Sequence, residues 1–136
     1  MTWYYKDLEY TETPEDYHGF VYIITETDTG KMYVGKKFFW KPKTLPITKT
    51  RKRRVKTRVE SDWRTYYGSS KEVQILVEEK GKDNYRRDIL HLCKTKGECS
   101  YLEAKEQFDR GVLLHDGYYN EFIGCKIHSK HIRGLQ

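Results

Sequence analysis

The sequence has no long apolar run and a small share of apolar residues. Hydrophobic residues make up 37% of its 136 residues and charged residues 34%, a balance typical of a modest interior under a heavily solvated surface. No segment is apolar over the length that a membrane span requires, and residues 1–10 lack the basic-then-apolar order of a secretion signal. The length suits one compact domain. We therefore expect a cytosolic protein with a single core and no membrane partner.

Cysteine and histidine do not form a metal-binding pattern. The three cysteines are odd in number and include no C-x-x-C pair, so neither a disulfide framework nor a zinc knuckle is indicated. The histidines that follow the first one also lack the spacing of metal ligands; they are His91, His115, His128 and His131. Reduced thiols and surface or nucleic-acid contacts explain these residues best, and we expect no zinc site.

Acidic residues are missing from one long stretch of the chain. From Lys36 to Val59 there is no Asp or Glu, whereas eleven residues are basic, namely Lys36, Lys37, Lys41, Lys43, Lys49, Arg51, Lys52, Arg53, Arg54, Lys56 and Arg58. They outnumber the formal net charge of +6, so the rest of the chain is mildly acidic. A block of like charges favours a polyanionic partner, and nucleic acid is the first candidate. The alternatives are a solvated loop and a localisation signal.

The chain divides into a short arm and one domain. Residues 1–17 show no periodicity and are interpreted as an arm on the surface, and residues 18–136 form the single domain. Within the domain, β-branched and aromatic residues at 20–25, followed by turn residues and a second extended segment, predict a β-hairpin. Residues 41–59 carry two prolines and most of the basic block. They are predicted to be a long exposed loop or an irregular ribbon inserted in the domain.

Helices and one further strand follow the basic segment. A short helix is predicted around Trp63, and a longer one begins after Gly68, with a serine cap, and ends at Gly81. The alternation of residues 85–93 predicts a strand, and helical spacing predicts a third helix over residues 98–114. This order of elements predicts an α+β fold, with a small, mainly antiparallel three-stranded sheet flanked by helices.

The hairpin places two tyrosines on one face of the sheet. With a tight turn within residues 27–30, Tyr22 faces Gly35 across the ladder, and side chains alternate with a period of two. Tyr33 then shares the face of Tyr22, close on the diagonal, while Gly35 leaves bare backbone beside them. Two lysines follow at once, so the pattern indicates a notch of the size of a phosphate. The alternative is ordinary aromatic packing in a hairpin.

These two tyrosines lie in segments that resemble the paired motifs naming the GIY-YIG nucleases. The segments are Phe20-Val21-Tyr22 and Tyr33-Val34-Gly35, and the second tyrosine follows the first by eleven positions. Phe20-Val21 stands where the name has Gly-Ile, which keeps the strand apolar. Gly68-Ser69-Ser70 opening a helix, the later helix with a central glutamate and a late asparagine also fit. The resemblance extends over residues 19–122, and the chain is similar to phage-encoded members.

The resemblance implies that a helical glutamate is the one protein ligand of a Mg²⁺ or Mn²⁺ ion. Glu103 is the first choice, and Glu106, one turn further on, is the competitor. Carboxylate oxygen suits a hard cation that keeps most of its waters. Such an ion neutralises charge on the scissile phosphate and stabilises the leaving oxygen. For either glutamate the alternative is a position on a solvated helix face.

The resemblance also implies roles for the tyrosines and for an asparagine. Tyr22 is expected to take the proton from the attacking water, directly or through a relay, because a metal and nearby lysines favour its phenolate. Tyr33 is expected to orient the water or the phosphate. Asn120 resembles the closing asparagine that braces the site, the alternative being a turn residue. His18, just before the first strand of the hairpin, is a candidate proton relay at the mouth of the site.

The arginine that stabilises transition-state charge in this family has no single counterpart here. The usual short link after the second motif is replaced by the long basic segment, which is a departure from the family pattern. Arg58 and Arg64 are both candidates and Arg54 is a weaker one. Lys36 or Lys37 is able to share the role, because fork-shaped or cationic donors stabilise the developing charge.

The sequence thus predicts a metal-dependent DNA endonuclease that hydrolyses phosphodiester bonds, acting in the host cytoplasm if phage-encoded. The expected DNA contacts are mainly cations of the basic segment, namely Lys36, Lys37, Lys41, Lys43, Arg51, Lys52, Arg53, Arg54 and Lys56, together with Trp63. Relatives that recognise long sites usually carry an additional binding domain. We therefore expect loose sequence preference, or a homodimer or partner that supplies specificity.

Two other functions fit the composition. The first is a nucleic-acid binding module without catalysis, in which the basic segment grips phosphates while Trp40, Trp63 and the tyrosines stack on bases. In that case Glu103 has no role. The second is a protein-interaction or RNA-processing factor, which predicts no preference for duplex DNA.

Overall fold

The structure, a computed structural model, describes residues 2–50, 52–53 and 55–135. Its strands are β1 (Trp3–Tyr5), β2 (Leu8–Tyr10), β3 (Gly19–Glu26), β4 (Met32–Phe38), β5 (Trp40–Leu45), β6 (Val55–Glu60) and β7 (Tyr85–Cys93). Its α-helices are α1 (Lys71–Lys80) and α2 (Lys96–Arg110), and 3₁₀ turns lie at Trp63–Thr65, Lys82–Asn84 and Ser129–Leu135. The predicted α+β class is confirmed.

A five-stranded sheet in the order β2-β1-β7-β3-β4 forms the centre of the domain. Strand β3 pairs antiparallel with both β4 and β7, whereas β1 pairs parallel with β7. The prediction of a three-stranded sheet was therefore wrong, because it counted only the long strands β3, β4 and β7. The two additional strands have three residues each, and segments that short show no clear period of two.

The N-terminal segment belongs to the core and is not the surface arm that its sequence indicated. Trp3 is 1% exposed, and its indole Nε1 donates a hydrogen bond of 2.7 Å to the backbone carbonyl of Trp63. Further along, the hydroxyl of Thr13 accepts a hydrogen bond of 2.9 Å from Trp63 Nε1. Residues 2–17 thus pack with the domain that was predicted to begin at residue 18.

Helices cover both faces of the sheet. On one face, α1 buries Val73 and Val77 against an aromatic cluster that includes Tyr22. On the other face, Cys99 of α2 packs with Val21. The alternation along β3 therefore sends consecutive residues into two separate cores. Strand β4 ends the strand order, and a backbone bridge pairs its first residue, Met32, with Tyr118. Beyond Met32 no further strand covers β4 among the described residues, so groups from both faces meet at this free edge.

The predicted register of the hairpin is confirmed. The Glu26 N–H donates a hydrogen bond of 2.8 Å to the carbonyl of Lys31 and closes the turn. Tyr22 lies opposite Gly35, and Tyr33 lies opposite Ile24. Because the register shifts by no residue between these pairs, the two tyrosines project from the same face.

Helix α1 begins and ends as its sequence predicted, whereas α2 differs by a few residues. The Ser70 hydroxyl accepts a hydrogen bond from the N–H of Val73 and caps α1, and Gly81, with φ at +91°, ends it. Helix α2 begins at Lys96, behind a cap from Thr95, and ends at Gly111 in the left-handed conformation. The predicted extension to residue 114 is wrong because this glycine ends the helix earlier.

The basic segment is a regular ribbon rather than a loop. Strands β5 and β6 pair antiparallel with each other, from Trp40 opposite Glu60 to Leu45 opposite Val55, and form a sheet of their own. The predicted loop over residues 41–59 is therefore wrong for most of its length, although an irregular ribbon had been its stated alternative. The period-two pattern was hidden because lysine, proline and threonine occupy both faces.

Candidate active site

A cleft of about 630 Å³ opens along the free edge of β4. Its walls come from β4, from the start of α1, from one side of α2 and from the segment after Tyr118. Among the lining residues are Tyr33, Lys36, Ser69, Glu103, Gln107 and Asn120. The fold thus gathers at one edge several polar residues that are far apart in the chain.

The tyrosines of the paired motifs lie together at this edge. The ring centroids of Tyr22 and Tyr33 are 6.3 Å apart, with 35° between the ring planes. Tyr33 lines the cleft, whereas Tyr22 lies behind it in the aromatic core. The predicted juxtaposition of the two rings is therefore present, but only one of them faces the open space.

Two glycines give the hydroxyl end of Tyr22 its space. A Cβ on Gly35 would lie 2.7 Å from Cζ of Tyr22 and even closer to its hydroxyl oxygen. A Cβ on Gly68 would come within 3.4 Å of the same oxygen, and Gly68 also has φ at +94°, which disfavours other residues. Both glycines are therefore explained by the position of one phenol.

The Tyr22 hydroxyl is enclosed, and the protein alone keeps it neutral. Tyr22 is 0% exposed, and its hydroxyl has no hydrogen bond of normal geometry to the described residues. Burial, reinforced by Tyr66, Tyr33 and Glu103, raises the pKa of Tyr22 well above its usual value. Without a bound cation, desolvation therefore dominates over the nearby lysines, and a phenolate at Tyr22 requires the metal ion that the sequence prediction includes.

Tyr66 and Ser69 extend this group of hydroxyls, and the sequence analysis did not single them out. The Tyr66 ring stands edge-on to that of Tyr22, with centroids 6.0 Å apart, and its hydroxyl interacts with that of Ser69. Ser69 Oγ in turn lies 3.0 Å from the Tyr33 hydroxyl. The available signal was a tyrosine pair directly before Gly68, a residue that sets the start of α1.

Glu103 projects from α2 into the cleft. Its side chain is 15% exposed, and Oε1 lies 3.7 Å from Nζ of Lys36. Burial raises the pKa of Glu103, and the Lys36 ammonium and backbone lower it only in part. Glu103 is thus a carboxylate that the protein surrounds without fully compensating its charge.

Glu106, the alternative ligand, is already engaged on another side of α2. Its two oxygens each lie 2.8 Å from a partner, Oε1 from Nε2 of His91 and Oε2 from Nε of Arg110. Burial raises the pKa of Glu106, but these two partners outweigh burial and lower it. Glu106 does not line the cleft. The structure therefore favours Glu103 of the two candidates.

The donor chemistry at Glu103 fits a hard divalent cation. Two more carboxylates, Glu72 and Glu121, lie on the lining of the same cleft. Within residues 2–50, 52–53 and 55–135, however, no three His, Cys, Asp or Glu side chains converge as a metal cage. A single protein carboxylate completed by water oxygens is an arrangement that Mg²⁺ accepts, because this ion gives up its waters reluctantly.

Asn120 and Gln107 brace the exposed edge of β4. The Asn120 side chain accepts a hydrogen bond of 3.0 Å from the N–H of Val34 and donates one of 2.8 Å to the Val34 carbonyl. Gln107 Nε2 donates to the same carbonyl at 3.0 Å. The amide of Asn120 thus replaces a neighbouring strand at the residue between Tyr33 and Gly35. Gln107 is a further residue that the sequence analysis did not find.

The candidate arginines do not reach the cleft. The Arg58 guanidinium lies 4.0 Å from the ring centroid of Trp40 and donates to the Glu15 carbonyl. Arg64 pairs with Glu60 at 3.1 Å and donates to the carbonyl of Thr11. Arg54 lies outside the residues that the structure describes. Neither of the two described arginines is placed near the tyrosines, because the ribbon and the N-terminal segment hold them.

His18 is also remote from the cleft. Its ring packs against Phe38 with centroids 4.8 Å apart, at the end of β3 opposite to the hairpin turn. Burial, together with Lys96 and Arg58, lowers the pKa of His18. It does not line the cleft, so the expected place at the mouth of the site is wrong. Tyr22 follows His18 by four positions, and the extended backbone of β3 between them separates the two side chains.

The predicted DNA-contacting cations fall into a described and an undescribed group. Lys36 and Lys37 lie on β4, whereas Lys41, Lys43 and Lys56 lie on the ribbon and are exposed. Lys52 and Arg53 are exposed near its tip. Arg51 and Arg54 lie outside the described residues.

Trp63 is not available for DNA, and this part of the prediction was wrong. Its side chain is 0% exposed, and it packs edge-on against Phe39 with centroids 5.0 Å apart. Trp63 lies on the short helix that the sequence predicted, but it was expected to be accessible because the N-terminal segment that covers it was interpreted as a separate arm. Trp40 likewise has one ring face occupied by Arg58, which limits base stacking on it.

One of three comparisons with known proteins identifies a family. A family model described as "Putative endonuclease segE, GIY-YIG domain" matches residues 3–123. No curated protein and no solved structure gives a significant match. No helix of the described residues is long and apolar enough to cross a membrane. Because the family model covers most of the chain, including both tyrosine motifs, Glu103 and Asn120, this protein belongs to the GIY-YIG endonuclease family.

Proposed function

We propose that the protein is a metal-dependent DNA endonuclease that hydrolyses phosphodiester bonds in the cleft along β4. The proposal depends on one observation, the Glu103 cluster, which consists of Tyr22, Tyr33, Lys36, Tyr66 and Glu103. It combines a poorly compensated carboxylate with a buried hydroxyl that has no hydrogen bond of normal geometry among the described residues. Leaving a buried polar group unsatisfied costs ~1–3 kcal/mol. Such groups, together with strongly perturbed pKa values, concentrate at functional sites.

Glu103 is the proposed ligand of a Mg²⁺ or Mn²⁺ ion. Its carboxylate faces the cleft, whereas Glu106 is held by His91 and Arg110. When bound, the ion would neutralise charge on the scissile phosphate, stabilise the leaving oxygen and lower the pKa of neighbouring phenols. The raised pKa of Glu103 is consistent with this role, because a cation relieves the electrostatic cost of the buried charge.

Tyr22 is the proposed proton acceptor: it would act as a phenolate, once a cation bound at Glu103 has lowered its pKa, and through a relay. Because the Tyr22 hydroxyl is enclosed, a proton from a water molecule in the cleft has to pass through other hydroxyl groups to reach it. Tyr66 lies against Tyr22 and interacts with Ser69, and Ser69 Oγ is 3.0 Å from the hydroxyl of Tyr33, which lines the cleft. We propose that this chain of hydroxyls carries the proton and that Tyr33 orients the attacking water.

Lys36 takes the proposed part of the missing arginine. It is the cation closest to Glu103 that the cleft contains, and Nζ also donates a hydrogen bond of 3.0 Å to Oγ of Ser100. An ammonium fixed at this edge stabilises charge that develops on the phosphate, although as a point charge rather than a fork. Asn120 keeps the β4 backbone beside it in place.

A plasmid-nicking assay tests the proposal. Supercoiled, linear and branched DNA are incubated with the protein in the presence of Mg²⁺, Mn²⁺ or a chelator. We expect nicking with either ion and none with the chelator. Glu103→Gln is expected to lower the nicking rate by about 10²- to 10³-fold, the usual range when one group that stabilises transition-state charge is removed. Glu106→Gln is the matched control on the same helix and is expected to retain most of the activity.

The second candidate function is a binding module without catalysis. The exposed cations of β5 and β6 favour it, because they provide phosphate contacts that need no active site. The assay separates the two functions when DNA affinity is measured in parallel by fluorescence anisotropy. Tight binding to duplex DNA without nicking under any condition identifies the module, and tighter binding to RNA than to duplex DNA points to an RNA-processing role.

A further inference from the structure

We infer that a second cavity, beside the cleft, binds a neighbouring phosphate of the same DNA strand; this inference rests on the proposed nuclease function. The cavity has a volume of about 330 Å³ and lies between the end of β4, the start of β5 and the start of α2. We call it the lysine notch, and its charged residues are Lys36, Lys37, Lys41, Asp62 and Lys96. Lys96 stood outside the basic block of the sequence and comes from the other side of the sheet.

The lysine notch is strongly positive. It contains four ammonium groups and one carboxylate. Asp62 pairs with Lys37 at 2.6 Å, and this partner lowers the pKa of Asp62. Among the described residues, neither Lys41 nor Lys96 has a carboxylate within 4.0 Å. Lys41 also lowers the pKa of Asp62, but only through its charge and without an ion pair. Lys41 and Lys96 therefore have no ion pair among the described residues that an external anion would have to replace.

Lys36 connects the notch with the cleft, since it lines both cavities. The two cavities thus succeed each other along the same edge of β4. The notch also adjoins the ribbon, because one of its walls is formed by the start of β5, namely Trp40, Lys41 and Pro42. An anion bound in the notch is therefore adjacent to a group bound beside Glu103.

Repeated phosphates along a nucleic-acid strand match this arrangement. A single small anion would occupy only one cavity, whereas a strand places charges in both and continues along the ribbon. Lysine binds phosphate as a point charge and reads no base, so the contact positions the strand without specifying its sequence. The notch would thus hold the strand against the edge of β4 and contribute affinity, without taking part in the chemical step at Glu103.

The test measures DNA affinity without catalysis. Binding of a short duplex is followed by fluorescence anisotropy in a chelator at several salt concentrations, for the wild type, Lys41→Gln, Lys96→Gln and the double variant. Each lost phosphate contact is expected to make the slope of log K against log salt shallower by ~0.9. Lys41→Arg and Lys96→Arg keep the charge and are expected to retain the wild-type slope. Lys105→Gln is the control, since Lys105 pairs with Asp109 on an exposed part of α2.

The outcomes separate this inference from the proposed function. Equal slopes for Lys41→Gln, Lys96→Gln and Lys105→Gln, in folded proteins that still nick DNA, overturn the inference and leave the nuclease intact. Shallower slopes together with a wild type that never nicks DNA support the notch and overturn the nuclease. Support for both requires that saturating DNA restores the nicking rate of the two lysine variants to within ~3-fold of the wild type, because contacts that only bind change affinity rather than the chemical step.

Discussion

Two clusters at the β3–β4 hairpin each contain a glutamate, tyrosines and a lysine. They differ in how many hydrogen bonds and how close an ion pair the carboxylate receives. The Glu26 cluster lies at the turn and consists of Glu26, Thr29, Lys80, Tyr85 and Tyr119. Glu26 is 1% exposed, and it accepts hydrogen bonds from Tyr85 at 2.6 Å and Tyr119 at 3.0 Å, with Lys80 Nζ at 3.1 Å. The Glu103 cluster also has a carboxylate, tyrosines and a lysine, yet its carboxylate lies 3.7 Å from that lysine.

The difference appears in the direction of the pKa shifts. Burial alone would raise the pKa of Glu26, but hydrogen bonds from Thr29, Tyr85, Lys80 and Tyr119 outweigh it and lower the pKa to about 2. For Glu103, burial prevails and the pKa is raised. Composition therefore does not distinguish the structural carboxylate Glu26 from Glu103, the proposed metal ligand. The number of donors that reach its oxygens does, because only full compensation makes a buried charge stabilising.

Removing one phenolic hydroxyl from each cluster gives the largest expected contrast. Tyr22→Phe is expected to lower the nicking rate by about 10²- to 10⁴-fold, the usual contribution of a proton-transfer group. Its stability is expected to change less than that of Tyr85→Phe, since the lost hydroxyl has no hydrogen bond of normal geometry among the described residues and interacts with the Tyr66 hydroxyl only in a weaker geometry. Tyr85→Phe is expected to lose ~1–3 kcal/mol of unfolding free energy, because Glu26 loses a donor. The measurements are nicking kinetics and urea unfolding.

The opposite pattern would contradict the comparison. If Tyr85→Phe lost nicking activity at full stability, the Glu26 cluster would belong to the site. If Tyr22→Phe kept its activity, the proposed relay would be wrong, even with the nuclease function intact.

Replacing one of two hairpin glycines by alanine gives the next largest expected effect, a loss of nicking rate at Gly35 and a loss of stability at Gly30. In Gly35→Ala the new Cβ meets the Tyr22 ring at 2.7 Å, so the phenol has to move. A displacement of about 1 Å in a catalytic group costs about 10²-fold in rate. Gly30→Ala, in the turn beside Glu26, meets nothing within 4 Å but has φ at +76°. It is expected to lose ~1 kcal/mol of stability and no activity, and nicking rates normalised to folded protein measure both.

A third contrast between the two clusters is the pH dependence of stability. The pKa of Glu26 is lowered from 4.5 to about 2 in the folded state. Ionised Glu26 therefore contributes ~3 kcal/mol to the free energy of unfolding at pH values above its pKa in the unfolded chain. That contribution is lost as the pH falls from about 4.5 towards 2. Glu103 has a raised pKa, so its ionisation opposes folding.

Urea unfolding of Glu26→Gln and Glu103→Gln between pH 2 and 7 separates the two carboxylates. Glu26→Gln is expected to be less stable than the wild type at neutral pH and to converge with it at the acidic end. Glu103→Gln is expected to match or exceed the wild type at neutral pH. Parallel curves for the wild type and Glu26→Gln over the whole range would show that hydrogen bonds to Glu26 favour its two protonation states equally.

Short-range signals in the sequence were sufficient for the centre of the fold. The register that pairs Tyr22 with Gly35 follows from one tight turn and from the alternation of side chains. The cap at Ser70 and the end of α1 at Gly81 follow from local hydrogen bonding and glycine conformation. These features are predictable because each depends on residues a few positions apart.

Contacts between distant segments were not predictable in the same way. Nothing local in residues 2–17 indicates that Trp3 covers Trp63 or that β1 pairs with β7. The occupied positions of Arg58 and Arg64 follow from the same packing. The family resemblance located Glu103 and both tyrosines, but the enclosure of Tyr22 depends on Tyr66 and Gly68, which only the three-dimensional structure brings to it.

The parallel pairing of β1 with β7 has a consequence for biosynthesis. The first strand of the chain docks only after residues 85–93 have left the ribosome, since β7 lies between β1 and β3. Such a non-local contact forms late, because closing a long loop costs conformational entropy before the contact can stabilise the fold. Glu103 and Asn120 emerge later still. The cleft of a nascent chain is therefore incomplete until the segment from Tyr119 to Gly124, which forms its last wall, has also emerged.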